Sequence, residues 1–148
     1  MKDKKQEDIY DMMPFIALIH NISKNKIKYS RENIPEFNIF PSGRYLMKIY
    51  DFENLSQDDL VNLYGQSKGT VAKSLKKLEE EGYIKREADP ENRRKYILKT
   101  TQKGNELVPR VRKLLKEWED EVGISDLDDE TKEKIKEIAR KSAKLIDD

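Results

Sequence analysis

The hydrophobic period of this chain changes from helical to alternating at Gly82, and the segments on either side of that switch limit the fold more than any other feature. Ser56, Gln57, Asp58 and Asp59 have the form of a capping box with Asp in place of Glu, so a helix starts there and is expected to bury Leu60 and Leu63. It breaks at Tyr64-Gly65-Gln66, where Gly65 can take the positive φ that a tight helix-to-helix turn demands. Ser67 caps the next helix. That helix repeats Val71, Leu75 and Leu78 on one face and turns Lys68, Thr70, Lys73, Ser74, Lys76 and Lys77 away from it, up to a glycine stop at Gly82. Residues 83–88 and 95–100 then read as short strands, joined by the turn-rich and basic loop Asp89-Pro90-Glu91-Asn92-Arg93-Arg94.

Helices flank this core. From Ile9 to Ile27 apolar residues recur at helical spacing, and Pro14 inside the pattern predicts a start or a bend there. Residues 31–41, with two prolines, suit a connection, and a helix behind Pro41 and Ser42 is expected to bury Tyr45, Leu46, Ile49 and Tyr50. Thr101 caps a helix running to about Val122 through Leu107, Val108, Val111, Leu114, Leu115 and Trp118, with a kink predicted at Pro109. Residues 128–146 form a last amphipathic helix through Ile135, Ile138, Ala139 and Ile146. The aromatic residues Trp118, Tyr29, Tyr45 and Tyr50 are expected in a core or an interface.

Composition removes most chemistry. With no cysteine in 148 residues, the chain is no disulfide scaffold and offers no thiolate to a metal or a substrate. His20 is the one histidine, so a metal site lacks ligands and a serine hydrolase lacks a marked nucleophile for its base. Neither a catalytic carboxylate pair nor a phosphate-cradling glycine loop stands out, so no enzyme, no cofactor and no metal are expected. No apolar run approaches the roughly 20 residues of a membrane span, and residues 1–8 lack the apolar core of a signal peptide. A soluble, cytoplasmic protein is therefore expected, with no membrane partner. The net charge of +1 hides an uneven distribution, because residues 60–104 carry 11 Lys and Arg against 6 Asp and Glu. Such a basic patch is what an anionic polymer feels within a Debye length.

Two short helices joined by a glycine turn and followed by a hairpin with a basic tip describe a winged helix-turn-helix, so the fold class is mostly α (α+β). The second helix suits the major groove of duplex DNA, with Ser67, Lys68, Thr70, Lys73, Ser74 and Lys77 as candidate contacts to phosphates and base edges. Arg93 and Arg94 at the hairpin tip suit the minor groove, whose negative potential attracts arginine.

Ser67-Lys68-Gly69-Thr70-Val71, Lys77 through Arg86, Asp89 through Arg94 and Thr101-Gln102-Lys103-Gly104 resemble the recognition helix, its exit, the wing and the following helix start of the MarR family of winged-helix transcription regulators. The resemblance covers nearly the whole chain. It implies a homodimer that binds an inverted repeat in double-stranded DNA, acts as a repressor and is released by a small aromatic ligand. By layout it implies a helical dimerisation region at 1–34 and 105–148, around a DNA-binding domain at 35–104. The competing reading is a winged-helix module that binds an acidic protein partner without specific DNA binding. Three positions depart from the family pattern: Asn92 replaces an aspartate that braces the wing arginine, Thr100 replaces a leucine, and Gly69 weakens the start of the recognition helix by about 1 kcal/mol relative to alanine.

Overall fold

The computed structural model describes residues 9–37 and 42–146. The chain divides after residue 38 into two compact units. In the first, residues 9–12 are helical and Pro14 caps α1, Phe15–Asn33, so the chain restarts at this proline instead of bending through it. A proline suits that place because its fixed φ is compatible with a helix start and its missing N–H is not needed there. The helix runs further than expected. Arg31, Glu32 and Asn33 are helical, the Ile34 N–H closes onto the Ser30 carbonyl at 2.9 Å, and Pro35–Phe37 add a 3-10 turn. The remainder of the expected connection, residues 38–41, and the expectation for residues 1–8 lie outside the described residues. Phe15, Ile16, Ile19 and Ile22 on α1 are exposed.

The second unit contains α2 (Gly43–Asp51), α3 (Gln57–Tyr64), α4 (Lys68–Glu80), β1 (Ile84–Ala88), β2 (Tyr96–Thr100), α5 (Gln102–Glu121) and α6 (Asp129–Lys144). β1 and β2 pair antiparallel with Ile84 opposite Thr100 and Ala88 opposite Tyr96. The Leu98 N–H also bonds the Leu55 carbonyl at 2.7 Å, so the segment leading into α3 borders the hairpin. The core is drawn from every layer: Tyr45, Leu46 and Ile49 of α2, Leu60 of α3, Val71, Leu75 and Leu78 of α4, Ile97 and Leu98 of β2, and Leu107, Val108 and Val111 of α5 are all buried. Each fully buried aliphatic side chain stabilises the fold by about 1.5–3 kcal/mol, so the stripe on α4 holds that helix by several kcal/mol.

Two expectations fail on this unit. Leu63 is 54% exposed and Tyr50 is 38% exposed. Leu60 is fully buried, whereas Leu63, one turn on, borders an open hollow with Lys48, Phe52 and Leu55. Tyr50 instead lies beside the Arg112 guanidinium of α5, 5.4 Å from its ring centroid, and Arg112 also grips Asp51 with contacts of 2.5 and 2.6 Å.

The junction between the exit of α4 and the start of α5 is tight. Gly82 takes φ 79°, and the Gly82 and Tyr83 N–H groups bond the Glu79 and Leu78 carbonyls, both at 2.9 Å. Thr101 caps α5 by accepting from the Gly104 N–H at 3.2 Å, donates its hydroxyl to the Gly82 carbonyl at 2.6 Å, and donates its N–H to the Tyr83 carbonyl at 3.0 Å. Gly104 has to be glycine here, because a Cβ would stand 2.3 Å from the Tyr83 carbonyl oxygen. α5 continues through Pro109 as one helix, and α6 follows behind its Asp128 cap with none of its residues buried. Among the described residues no helix is long and apolar enough to cross a membrane.

Candidate nucleic-acid interface

The hairpin and α4 are positioned by a chain of local caps and three longer ties. The Ser56 N–H and hydroxyl both donate to the Asp59 carboxylate, at 2.7 and 2.6 Å, and the Asp59 N–H returns to the Ser56 hydroxyl at 3.3 Å. These bonds to the charged form hold the Asp59 carboxyl below the usual carboxylate range. α3 ends at Gly65, with φ 58° and ψ 28°, and two residues later Ser67 caps α4.

The turn between these helices is tied to the start of α2. The Tyr64 hydroxyl donates to the Arg44 carbonyl at 3.2 Å, the Tyr45 and Tyr64 rings meet edge to face at 5.1 Å, and the Arg44 guanidinium stands 5.0 and 5.2 Å from the two ring centroids. Burial raises the Tyr64 phenol above its ordinary value, against the opposing charge of Arg44. The second tie joins the wing to both helices of the turn. Arg86 on β1 binds Glu79 of α4 at 2.9 Å and reaches Gln57 of α3 at 3.4 Å. In the third, Lys85 and Lys99 stand opposite each other on the hairpin and share Glu87, at 3.0 and 2.9 Å. Bonds from Lys99 first and Lys85 second lower the Glu87 carboxyl, which removes the like-charge clash that the register would otherwise create.

On this scaffold the expected contact residues fall into two groups. Ser67 and Thr70 are engaged with each other at the start of α4: the Thr70 N–H donates to the Ser67 hydroxyl at 3.1 Å, and the two hydroxyls stand 2.9 Å apart. Lys68 lies beside Asp58 of α3 at 3.4 Å. Lys73 is exposed, while Ser74 and Lys77 are half-buried at the edges of the same polar side. A Cβ at Gly69 would meet only the Ser67 hydroxyl, at 4.0 Å, so nothing within the chain requires a glycine there.

The wing tip is built from turns that bond to themselves. Asp89 accepts from the Glu91 N–H at 2.9 Å, Asn92 accepts from the Arg94 N–H at 3.1 Å, and the Lys95 N–H bonds the Asn92 carbonyl at 2.8 Å. Asn92 therefore shapes the backbone of the tip and leaves the Arg94 guanidinium alone. Arg93 and Arg94 are exposed, and neither side chain, nor that of Lys73, has an ion-pair partner among the described residues.

A cleft of about 370 Å³ opens between the start of α3 and the wing, lined by Gln57, Asp58, Arg86, Asn92, Arg94 and Lys95 among others. A second, more apolar hollow of about 440 Å³ lies between α2 and α3, with Phe52, Leu55 and Leu63 as its walls and the Lys48 ammonium 4.9 Å from the Phe52 ring centroid. Sequence reasoning missed the ties made by Arg86, Glu79 and Gln57, since nothing local marks residues so far apart in the chain as partners. It also missed the meeting of Asp58 and Lys68 across the helix-to-helix turn.

A braced helix with a cationic outer side, next to a hairpin with a basic tip, makes this a winged helix-turn-helix transcription regulator. The MarR family model matches residues 41–96, from the start of α2 into β2. The chain is 31% identical to the uncharacterized HTH-type transcriptional regulator YybA of Bacillus subtilis (strain 168), over 70% of this chain and 68% of that protein. It superposes on a crystal structure of MarR with a TM-score of 0.67 at 30% identity, covering 91% of this chain and 92% of the other. A Staphylococcus aureus MepR–DNA complex shares the fold, with a TM-score of 0.72 at 24% identity over 90% and 98% of the two chains. The chain belongs to the MarR family of transcription regulators and is not an enzyme.

Proposed function

We propose that two copies of this chain bind an inverted repeat in duplex DNA and repress transcription, with α4 in the major groove and the wing in the adjacent minor groove. The observation that carries this reading is the set of exposed cations Lys73, Arg93 and Arg94, held without ion-pair partners among the described residues on elements fixed by the Arg86 ties. Lys68 and Lys77 meet phosphates, Lys73, Thr70 and Ser74 face the groove floor with Ser67 beside them at the helix start, and Arg93 and Arg94 enter the minor groove. The structure of MepR bound to DNA supports the same use of this fold.

Residues 35–104 form the DNA-binding domain, and residues 1–34 and 105–148 form the dimerisation region. Exposed apolar side chains on α1, such as Ile16 and Ile19, and on α6, such as Ile135 and Ile138, support the assignment, since a second copy would remove them from water. A protein that regulates transcription works in the cytoplasm of a cell without a nucleus. The hollow of about 440 Å³ between α2 and α3 supports release by a small aromatic effector, because its Phe52 and Leu63 walls suit a ring and Lys48 suits a carboxylate.

Sedimentation at micromolar concentration is expected to give about twice 17.5 kDa. Footprinting on a duplex selected from a random pool is expected to protect two symmetric segments about 10 bp apart, or a small multiple of that. A monomer, or an asymmetric footprint bound by a dimer at full affinity, contradicts the proposal. Binding of random duplex that does not weaken with salt favours the protein-partner alternative.

A further inference from the structure

Among the acids near the exposed cations, Asp58 is the one that faces the ammonium at the start of α4. Asp59 is spent on the Ser56 cap, Glu79 on Arg86, Glu80 on Lys76, and Glu87 on Lys85 and Lys99. Asp58 caps nothing. Its carboxylate lies 3.4 Å from the Lys68 ammonium, with the two side chains 69% and 76% exposed, and it lines the same cleft as Arg86, Arg94 and Lys95.

An ion pair this exposed contributes little to stability, because water screens both groups. A duplex at this surface changes its meaning. Lys68 opens the helix that enters the groove, and a carboxylate beside it competes with a DNA phosphate for the same ammonium. We propose that Asp58 acts as an internal phosphate mimic, occupying Lys68 and setting the affinity of the protein for DNA below what its cations alone would give. The inference rests on the DNA-binding reading above. Since the competition concerns a phosphate contact, it acts equally on every sequence and leaves sequence preference unchanged.

Salt dependence gives the expected size. Each phosphate contact contributes a slope of about −0.9 in log affinity against log salt, so one more contact per chain adds roughly −1.8 for a dimer. The advantage of Asp58→Asn over wild type is thus expected to grow about tenfold as salt falls from about 200 to about 50 mM.

The test measures binding of wild type, Asp58→Asn, Lys68→Ala and the double variant to one preferred and one scrambled duplex across that salt range. Thermal melting of each variant shows that it is folded. The expected result is tighter binding of both duplexes by Asp58→Asn with a steeper salt slope, and loss of most of that gain when Lys68 is also alanine. Affinity equal to or below wild type, or a gain that survives intact without Lys68, overturns the proposal while leaving DNA binding itself standing. A wild type that binds no duplex at low salt removes the DNA-binding reading and this proposal together.

Discussion

Gly104→Ala is expected to destabilise the protein by about 2–4 kcal/mol, although it places the best helix-forming residue in the first turn of α5. The added methyl would stand 2.3 Å from the Tyr83 carbonyl oxygen and 3.3 Å from Leu46 Cδ1, and the first of these atoms is backbone that cannot swing aside. The first turn of α5 must therefore lift by about 1 Å to restore an ordinary contact, which forces overpacking of roughly 1–3 kcal/mol. That lift stretches the bonds from Thr101 to Tyr83 (3.0 Å) and to Gly82 (2.6 Å), each contributing about 1 kcal/mol. Helix propensity offsets about 1 kcal/mol of the total. For a unit of this size the melting temperature is expected to fall by about 8–16 °C. Trp118, buried in α5 and the one tryptophan in the chain, reports unfolding by fluorescence in a urea titration. Gly69→Ala is the matched control, because a methyl there meets only the Ser67 hydroxyl, at 4.0 Å, and is expected to leave stability unchanged or slightly raised. A urea midpoint for Gly104→Ala equal to wild type would refute the claim that the Thr101-to-Gly104 turn is glycine-bound by contact with the exit of α4.

Arg94→Ala is expected to weaken binding of preferred and scrambled duplexes alike and to reduce the salt slope by roughly two units for a dimer, whereas Lys73→Ala is expected to cost about 1–3 kcal/mol on the preferred duplex; unchanged affinity and slope for Arg94→Ala argue against a DNA-contacting wing. Glu79→Ala removes the partner of a half-buried Arg86 and is expected to lower stability by about 1 kcal/mol and to weaken DNA binding, measured on the same samples by melting and by titration, with full affinity counting against a positioning role. The Asp59 carboxyl is lowered in the folded state by its bonds from Ser56, so its contribution is present above the ordinary carboxylate range, near 4, and is lost as pH falls through the lowered folded value. Urea midpoints between pH 6 and pH 2 are expected to fall less steeply for Asp59→Asn than for wild type, and parallel curves contradict this.

Much of the site is legible in the amino-acid order because the interactions that build it are local. Ser56 with Asp59, Ser67 with Thr70, and Thr101 with Gly104 each close within one helical turn, and the positive φ at Gly65 and Gly82 follows from helix ends that only a residue without Cβ adopts easily. The stripe Val71, Leu75 and Leu78 is read from the helical period alone, since three residues on one face leave a single side to bury. Where an apolar residue lies at the edge of a face, its fate depends on what stands opposite. Leu63 and Tyr50 have the spacing of core residues and are exposed, because Leu63 faces an open hollow beside Phe52 and Tyr50 lies beside the Arg112 guanidinium. The ties from Arg86 to Glu79 and Gln57, the bond from Leu98 to Leu55 and the approach of Asp58 to Lys68 join residues from different elements. Charge and hydrogen-bonding capacity are written in the residue types, but pairing needs a separation of a few ångströms, and for residues on different elements that separation is decided only when helices and hairpin pack.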